Sequence, residues 1–336
     1  MKVSEIGEFG LIARLAKMAQ KSAGKDTTAL QQLLVGIGDD AAAYFPDNEI
    51  QLATVDSLVQ DVHFSLSYMS WQELGWKSIA VNLSDIAAMG GFPRYALVSL
   101  GLPPDAEVES VIDLYRGMFD IAGKFGLAIV GGDTVSVPLV FVSVTVIGSA
   151  GDRKRGMLRR SAAKPGDKIA VTNALGASAG GLKMLQEGLK FNPKYAKQLR
   201  QAHLLPNPRV SEGQLLVTNG VKCGMDISDG LIGDLAHICT ESKVGARINV
   251  ELVPVSPAVN ACFGEKALEL ALTGGEDYEL LFTASASVMN KVTKVMPCPV
   301  MVVGEITTEN TGKVKLADKS GKPFRTKKTG WDHFNK

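Results

Sequence analysis

Charge of neither sign is in excess: 36 Lys and Arg stand against 35 Asp and Glu in 336 residues. With no net field to draw the chain to a nucleic-acid backbone or an anionic bilayer, those functions are excluded as whole-chain properties, and a basic role has to be local. Cysteine is scarce and scattered, since Cys223, Cys239, Cys262 and Cys298 form no C-x-x-C pair. That spacing favours reduced thiols in a cytoplasmic protein over a zinc or disulfide framework. Histidine is equally thin, with His63, His203, His237 and His333 far apart and no G-x-S-x-G elbow present, so no nucleophile constellation is in view. There is no G-x-x-x-x-G-K-[ST] loop and no G-x-G-x-x-G after a strand, which removes P-loop and dinucleotide-binding designs. No apolar run approaches the length of a membrane span. Met1 to Gly10 carries acids and no apolar block, unlike a secretory signal. A soluble, intracellular protein is the expectation.

What is abundant is core-forming residues, at 46% hydrophobic, enough for two packed domains in a chain of this length. Against that background one stretch stands out, Gly36-Ile37-Gly38-Asp39-Asp40-Ala41-Ala42, an acid pair flanked by glycines between apolar runs. Adjacent carboxylates repel and resist burial unless cations hold them. Gly and Asp are also ordinary turn residues, and taken alone the stretch fits either description. Similar punctuation recurs at Asp56, Asp85, Asp133, Asp226 and Asp229.

Taken in order, residues 8 to 20 have helical apolar spacing through Phe9, Leu11, Ile12, Leu15, Ala16 and Ala19. Residues 50 to 55 predict a strand ending at Asp56, followed by an irregular stretch with Asp61 and His63. Ser70-Trp71-Gln72-Glu73 has the form of a capping box and opens a helix to about Met89. Its second half is apolar on most sides yet holds Asn82 and Asp85, and a carboxylate there needs a cation or several donors. Leu97 to Leu102 predicts a strand, 106 to 125 a helix, and Leu127 to Val130 a strand leading into Gly131-Gly132-Asp133-Thr134. Val137 to Gly148 is strand-rich. Acids at strand ends in an alternating α/β layout suit a site built from loops.

After Gly151 the composition turns basic, with Arg153, Lys154, Arg155, Arg159, Arg160 and Lys164 before the turn signal Pro165-Gly166-Asp167. A domain boundary is placed there, giving domains of 1–150 and 151–336. The basic run is either a solvated face or a source of polyphosphate contacts. Lys168 to Thr172 predicts a strand, and Gly176 to Gly181 enters a helix. Residues 191 to 210, with Pro193, Pro206 and Pro208, predict a connector, and a helix follows around Ser211 to Asn219. Met225-Asp226-Ile227-Ser228-Asp229-Gly230 feeds a helix from Leu231 to Thr240. A plain N-cap role for Ser228 or Asp229 is one reading of this motif, and it leaves Asp226 unexplained. Thr273-Gly274-Gly275-Glu276-Asp277-Tyr278-Glu279 precedes an apolar strand, and Gly330-Trp331-Asp332-His333-Phe334 makes an aromatic tail suited to docking.

Hard carboxylates with few histidines and no paired cysteines select Mg²⁺ over zinc or copper. Magnesium with several carboxylates points to phosphate chemistry, in which positioning and charge neutralisation do most of the catalysis.

The motifs quoted above, from Gly36-Ile37-Gly38-Asp39-Asp40 and Asn82-Leu83-Ser84-Asp85-Ile86-Ala87-Ala88-Met89-Gly90 to Gly275-Glu276-Asp277-Tyr278-Glu279-Leu280, occur in one order. Together they resemble the thiamine-monophosphate kinase family from Gly7-Glu8-Phe9 to the aromatic tail. Single motifs indicate only the wider superfamily of aminoimidazole ribonucleotide synthetase and selenophosphate synthetase. The resemblance implies a two-domain α/β (α+β) fold of the aminoimidazole ribonucleotide synthetase type. Its N-terminal domain dimerises through its strands, and its C-terminal α/β domain completes the ATP and substrate site. It implies ATP as co-substrate, several Mg²⁺ ions, thiamine monophosphate as acceptor, a homodimer, and no nucleic-acid or membrane partner. By the same resemblance Asp40, Thr54, Val55, Asp56, Asp85, Asp133, Asp226 and Asp229 form the metal set, with Asp39 in a supporting place. Gly132, Asp133, Arg160 and Ser228 face ATP, and His63, Glu276 and Trp331 face the substrate. Asp40, Asp85, Asp133 and Asp229 carry catalysis.

Physical reasons run alongside. The thiazolium of thiamine suits a cation–π contact with Trp331, unless that residue is a hydrophobic plug, and its aminopyrimidine donors suit Glu276. Two positions depart from the family pattern: Asp61 and Asn173 stand where glycine is usual. An anion at 61 is expected to favour protonation of His63. A superfamily enzyme acting on another acceptor, and an ATP-binding maturation protein without turnover, are the competing functions.

Overall fold

A helix starts at the capping box: the Glu73 carboxylate accepts the Ser70 N–H at 2.9 Å, and the Ser70 hydroxyl accepts the Glu73 N–H at 3.3 Å. Each satisfies a donor that a first helical turn leaves open. In this computed structural model the described residues are 2, 5, 11, 14, 15, 17–19, 33–35, 43, 44, 49–151 and 154–326. The acid pair Asp39–Asp40 with the rest of 36–42, most of the 8–20 segment, Arg153 and the tail with Trp331 lie outside them. Residues 11, 14, 15 and 17–19 are helical. By their contacts the residues group into two units, Met1–Ile86 with Phe92–Arg153, and Ala87–Gly91 with Lys154–Lys336.

In the first unit, β1 (Leu33–Val35) and β2 (Ala43–Tyr44) pair antiparallel on either side of 36–42. The main sheet joins β3 (Gln51–Val59), β4 (Phe92–Leu102), β5 (Ala128–Ser136) and β6 (Phe141–Ser149) in the order β3-β6-β4-β5, antiparallel except for β4 with β5. Period-two alternation sends Leu52, Leu58, Val98, Leu100, Val142, Val144 and Val146 to a buried face. Against this face lies the helix α1 (Trp71–Ala88), with Ile86 packed on Gly148. The second helix, α2 (Val108–Phe125), ends at Gly126 with φ 69°, whose N–H bonds the Ala122 carbonyl. Helices α1 and α2 meet through glycines: a Cβ on Gly75 would collide with the Leu114 carbonyl, and one on Gly117 with the Gln72 carbonyl.

Two expectations change here. The strands run further than their hydrophobic patterns, so Asp56 lies inside β3, and Gly131-Gly132-Asp133-Thr134 is strand rather than the loop after one. Ladder pairing with β4 holds that glycine stretch extended. A Cβ on Gly132 would strike the Val98 carbonyl, so glycine serves close strand approach rather than a turn.

In the second unit six strands, β7 (Lys168–Thr172), β8 (Cys223–Asp226), β9 (Gly245–Asn249), β10 (Leu280–Ala284), β11 (Val300–Thr307) and β12 (Val314–Ala317), take the order β12-β9-β11-β7-β10-β8. All neighbours are antiparallel but β12 with β9. Helices α3 (Ala177–Glu187), α4 (Pro193–Leu204), α5 (Val210–Thr218), α6 (Leu231–Ser242), α7 (Pro257–Phe263), α8 (Ala267–Thr273) and α9 (Ala286–Val295) surround it. One core gathers Ile169, Val171, Met225, Leu235, Ile238, Ile248 and Leu281, and a second lies under α3, α4 and α7 around Met184, Leu199 and Val259. The expected connector at 191–210 is instead largely the helix α4. Pro193 fills its first turn, where a missing N–H costs nothing, and the Asn192 side chain caps it by accepting the Lys194 N–H at 3.0 Å. No described helix is long and apolar enough to cross a membrane, and the four cysteines are unbridged.

Candidate active site

In the first unit two of the proposed metal residues, Thr54 and Asp85, come together, and Asp56 shares their side of β3. Alternation along β3 turns Thr54 and Asp56 the same way, and the Thr54 hydroxyl donates to Asp85 Oδ2 across from α1. Behind Asp85, Asn82 is fully buried with its amide N–H on the Ser78 carbonyl at 3.0 Å. Val55, by the same alternation, turns outward and is 60% exposed. Asp133 is not brought beside them. Its register partner is Ser99 on β4, followed by Ser143 and Ser57, while Asp56 shares a row with Val144, Val98 and Gly132. Strands β3 and β5 are opposite edges of the sheet, about 14 Å apart at ordinary strand spacing.

His63 sits in the turn after β3, where the Val59 N–H donates to its Nδ1 at 3.1 Å. That donor occupies the nitrogen lone pair, so the neutral ring carries its proton on Nε2. Asp61 has φ 62° and Asn173 φ 48°. Both departures from family glycine therefore fall in the left-handed region, where Asn and Asp are the side chains best tolerated after glycine. Asp61 carries its carboxylate to the Gln60 amide at 3.3 Å. Asn173 adds a bond glycine lacks, its amide donating to Glu279 at 3.0 Å.

In the second unit the strand β8 ends at Asp226, which is 3% exposed, and Ile227 to Gly230 turns into α6. What holds this loop is a residue the motif reading passed over. Asp234, 1% exposed, folds back from the first turns of α6, and its Oδ2 accepts the N–H groups of Ser228, Asp229 and Gly230 at 3.1, 3.2 and 3.1 Å. Burial, with the nearby charges of Asp226 and Asp229, pushes its carboxyl up to about 8. The spacing Asp229 to Asp234 across a helix start was the available signal, since an acid in a first turn favours free N–H groups.

The 275–279 turn packs backbone to backbone on this loop. The Glu276 N–H donates to the Ser228 carbonyl at 2.7 Å, Tyr278 N–H to Ile227 at 2.9 Å, and Ile227 N–H to Glu279 at 2.8 Å. Glu276 and Tyr278 have φ 63° and 51°, unusual for side-chain-bearing residues. Between them Asp277 is driven inward, where its carboxylate accepts the Gly176 and Ser178 N–H groups at 2.7 and 3.3 Å and caps α3. Burial lifts that carboxyl to about 7. Glu279 binds Thr172, Asn173 and, through both oxygens, Arg209 at 2.9 and 2.6 Å. Burial opposes the Arg209 charge, yet the Glu279 bonds outweigh it and hold the guanidinium above its usual value.

The backbone of Arg160 lies at the opposite end of α6 from Ser228. Its carbonyl accepts the Ser242 hydroxyl at 2.6 Å, at the far end of α6, and twelve residues of helix span about 18 Å. Among the described residues no three His, Cys, Asp or Glu side chains form a metal-sized cluster. The proposed ligands divide between the two units, and Asp40 lies outside the described residues.

Comparison with known proteins gives these features a context. Residues 38–150 match the AIR synthase related protein family, N-terminal domain, and 164–317 its C-terminal domain. Thiamine-monophosphate kinase of Buchnera aphidicola subsp. Schizaphis graminum is 38% identical over 98% of this chain and 99% of its own. The crystal structure of thiamine-monophosphate kinase from Stenotrophomonas maltophilia K279a superposes with TM-score 0.81 at 34% identity, covering 92% of this chain and 96% of that one. AaThiL complexed with AMPPCP and TMP gives TM-score 0.76 at 31% identity over 99% of both chains. With both domains in order and identity of this level sustained along almost the whole length, the chain belongs to the thiamine-monophosphate kinase family of AIR synthase related proteins.

Proposed function

We propose that the protein transfers the γ-phosphoryl group of ATP directly to thiamine monophosphate, giving thiamine diphosphate and ADP. The observation that carries this is the likeness, over 99% of both chains, to AaThiL complexed with AMPPCP and TMP. An acceptor oxygen of the phosphate monoester forms the new bond to the γ-phosphorus, the bond from that phosphorus to the β-bridging oxygen breaks, and ADP leaves. The second pKa of a phosphate monoester is about 6, so the attacking oxygen is already deprotonated at neutral pH and no strong general base is needed.

The work left to the chain is to bring two polyanions together. Asp40, Thr54, Val55, Asp56, Asp85, Asp133, Asp226 and Asp229 would hold Mg²⁺. The donors suit it: hard oxygens, a Thr54 hydroxyl aligned on Asp85, and carboxyls crowded at 226, 229 and 234. Bound magnesium supplies neutralisation of phosphate charge. Asp40, Asp85, Asp133 and Asp229 are assigned the catalytic part of this set. Gly132, Asp133, Arg160 and Ser228 orient ATP, and His63, Glu276 and Trp331 orient thiamine monophosphate. The domains 1–150 and 151–336 each contribute part of both groups. The cell compartment that fits four unbridged cysteines is the cytoplasm.

A homodimer through the N-terminal sheet belongs to the same proposal. Its support is the sheet face opposite α1, where Val55, Leu97 and Val135 are 60%, 37% and 47% exposed. Light scattering should give twice the chain mass, and Val55→Lys should lower it.

Purified protein with ATP, Mg²⁺ and thiamine monophosphate should form ADP and thiamine diphosphate in equal amounts. ADP release without thiamine diphosphate, or ATP binding with no turnover, rejects the assignment.

A further inference from the structure

Among the described residues of the second unit, His203 has an acidic partner inside that unit's site. It lies on α4, its side chain is 0% exposed, and its Nδ1 stands 3.2 Å from Glu276 Oε2 and 3.2 Å from the Ser178 hydroxyl. An ionised carboxylate only accepts hydrogen bonds, so Nδ1 carries the proton and Glu276 receives it. The contact is buried on the histidine side, while the Glu276 side chain keeps 27% exposure on the other.

Everything around Glu276 fixes it in one attitude. Its backbone is left-handed at φ 63°, a conformation that costs a side-chain-bearing residue energy and survives only where the surroundings impose it. Its N–H is tied to the Ser228 carbonyl at 2.7 Å. Gly275 before it has no room for a Cβ, which would meet that same carbonyl, and Asp277 after it is anchored in the N-terminus of α3. Ser178, the other partner of Nδ1, also gives its own N–H to Asp277 at 3.3 Å. One oxygen of Glu276 thus faces a buried donor, and the exposed part of the side chain presents carboxylate outward with its rotation set by His203.

We propose that His203 is a positioning residue that sets substrate specificity: it orients the Glu276 carboxylate to accept a hydrogen bond from an exocyclic amine on the heteroaromatic ring of the acceptor. The inference rests on the assignment of Glu276 to the substrate. It adds a residue outside the family motifs, and it commits the acceptor to an amine donor at that point rather than a carbonyl, which a carboxylate repels.

The experiment compares equilibrium binding of thiamine monophosphate, of its analogue with an oxo group in place of the ring amine, and of AMPPCP. The proteins are wild type, Glu276→Ala, His203→Leu and His203→Asn. Asn restores an N–H donor near the place of Nδ1, whereas Leu removes it. Expected are a loss of at least tenfold in thiamine monophosphate affinity for His203→Leu with AMPPCP binding unchanged, and a collapse of the amine-to-oxo preference. His203→Asn should return to within about threefold of wild type. If Glu276→Ala weakens thiamine monophosphate binding but His203→Leu binds and discriminates as wild type does, the role of His203 is refuted while that of Glu276 stands. If Glu276→Ala also binds normally, both fall. Should His203→Leu fail to fold, His203→Met, which also removes the donor, takes its place: loss of the amine-to-oxo preference supports the inference, and wild-type affinity and preference in the folded variant overturn it.

Discussion

The N–H of Glu276 donates to the carbonyl of Ser228 at 2.7 Å, so a residue assigned to the substrate and one assigned to ATP share a backbone hydrogen bond. Gly275 makes this approach possible, because a Cβ there would occupy the place of the Ser228 carbonyl. Gly275→Ala should separate the two loops. Affinity for AMPPCP and for thiamine monophosphate should fall together in titrations of the variant, and a loss of only one would show that the loops are not coupled.

Asp234 has the next clear consequence. Removing it leaves the N–H groups of Ser228, Asp229 and Gly230 without their shared acceptor, at a cost of about 1–3 kcal/mol where water cannot replace it. Asp234→Ala should lower the melting temperature and raise amide hydrogen exchange at 228–230 ahead of the rest of α6. Asp234→Asn, which keeps an acceptor oxygen, should do less of both; equal damage in the two variants would contradict the capping role.

A pH effect follows from Asp277, whose carboxyl is lifted by burial to about 7. In the unfolded chain an aspartate titrates near 3.9. Between these values the folded protein keeps the proton and the unfolded chain releases it, so stability falls as pH rises from about 4 to about 7 and levels off above. Asp277→Asn should remove this part of the slope. Melting temperatures of wild type and variant should lie closest at the acid end, where the wild-type carboxyl is also uncharged, and separate across pH 4 to 8 as only the wild type loses stability; parallel curves would count against it.

Helix packing in the first unit allows a matched pair of substitutions. Gly117 faces the Gln72 carbonyl, whereas Gly123, on the same helix, has nothing within 4 Å of a Cβ. Gly117→Ala should destabilise by about 1–3 kcal/mol or more through overpacking. Gly123→Ala should stabilise by up to about 1 kcal/mol, the ordinary preference for alanine within a helix. Chemical denaturation of both variants tests the contrast.

At Asp85 the expected effect is on rate. The Thr54 hydroxyl and the α1 backbone fix this carboxylate independently of its charge, so Asp85→Asn should fold normally and lose orders of magnitude in kcat. A rate within a few-fold of wild type would remove Asp85 from the metal set.

Composition and motif order were enough to determine the class of chemistry and the family, because a motif such as Met225-Asp226-Ile227-Ser228-Asp229-Gly230 is local and its residue types state their own requirement: carboxylates, glycines and a helix start. The capping box at Ser70 was legible for the same reason. Local reading failed where a neighbour in space decides. Gly131-Gly132-Asp133 was placed beyond the end of a strand and is itself strand because β4 pairs with it, and prolines at 193 and beyond suggested a connector where Asn192 caps a helix. Asp234 left in the sequence only the mark of an acid in a first helical turn, and tertiary structure alone could select His203 and Asp277. Each acts through a backbone or side chain brought close by folding, and one acid or one imidazole in a sequence carries no mark of the partner it will meet. It also explained Asp61 and Asn173, whose left-handed backbone is a property of the folded turn. The acid pair at 39 and 40 stands on the sequence side of this division, known by its motif and its order among the others.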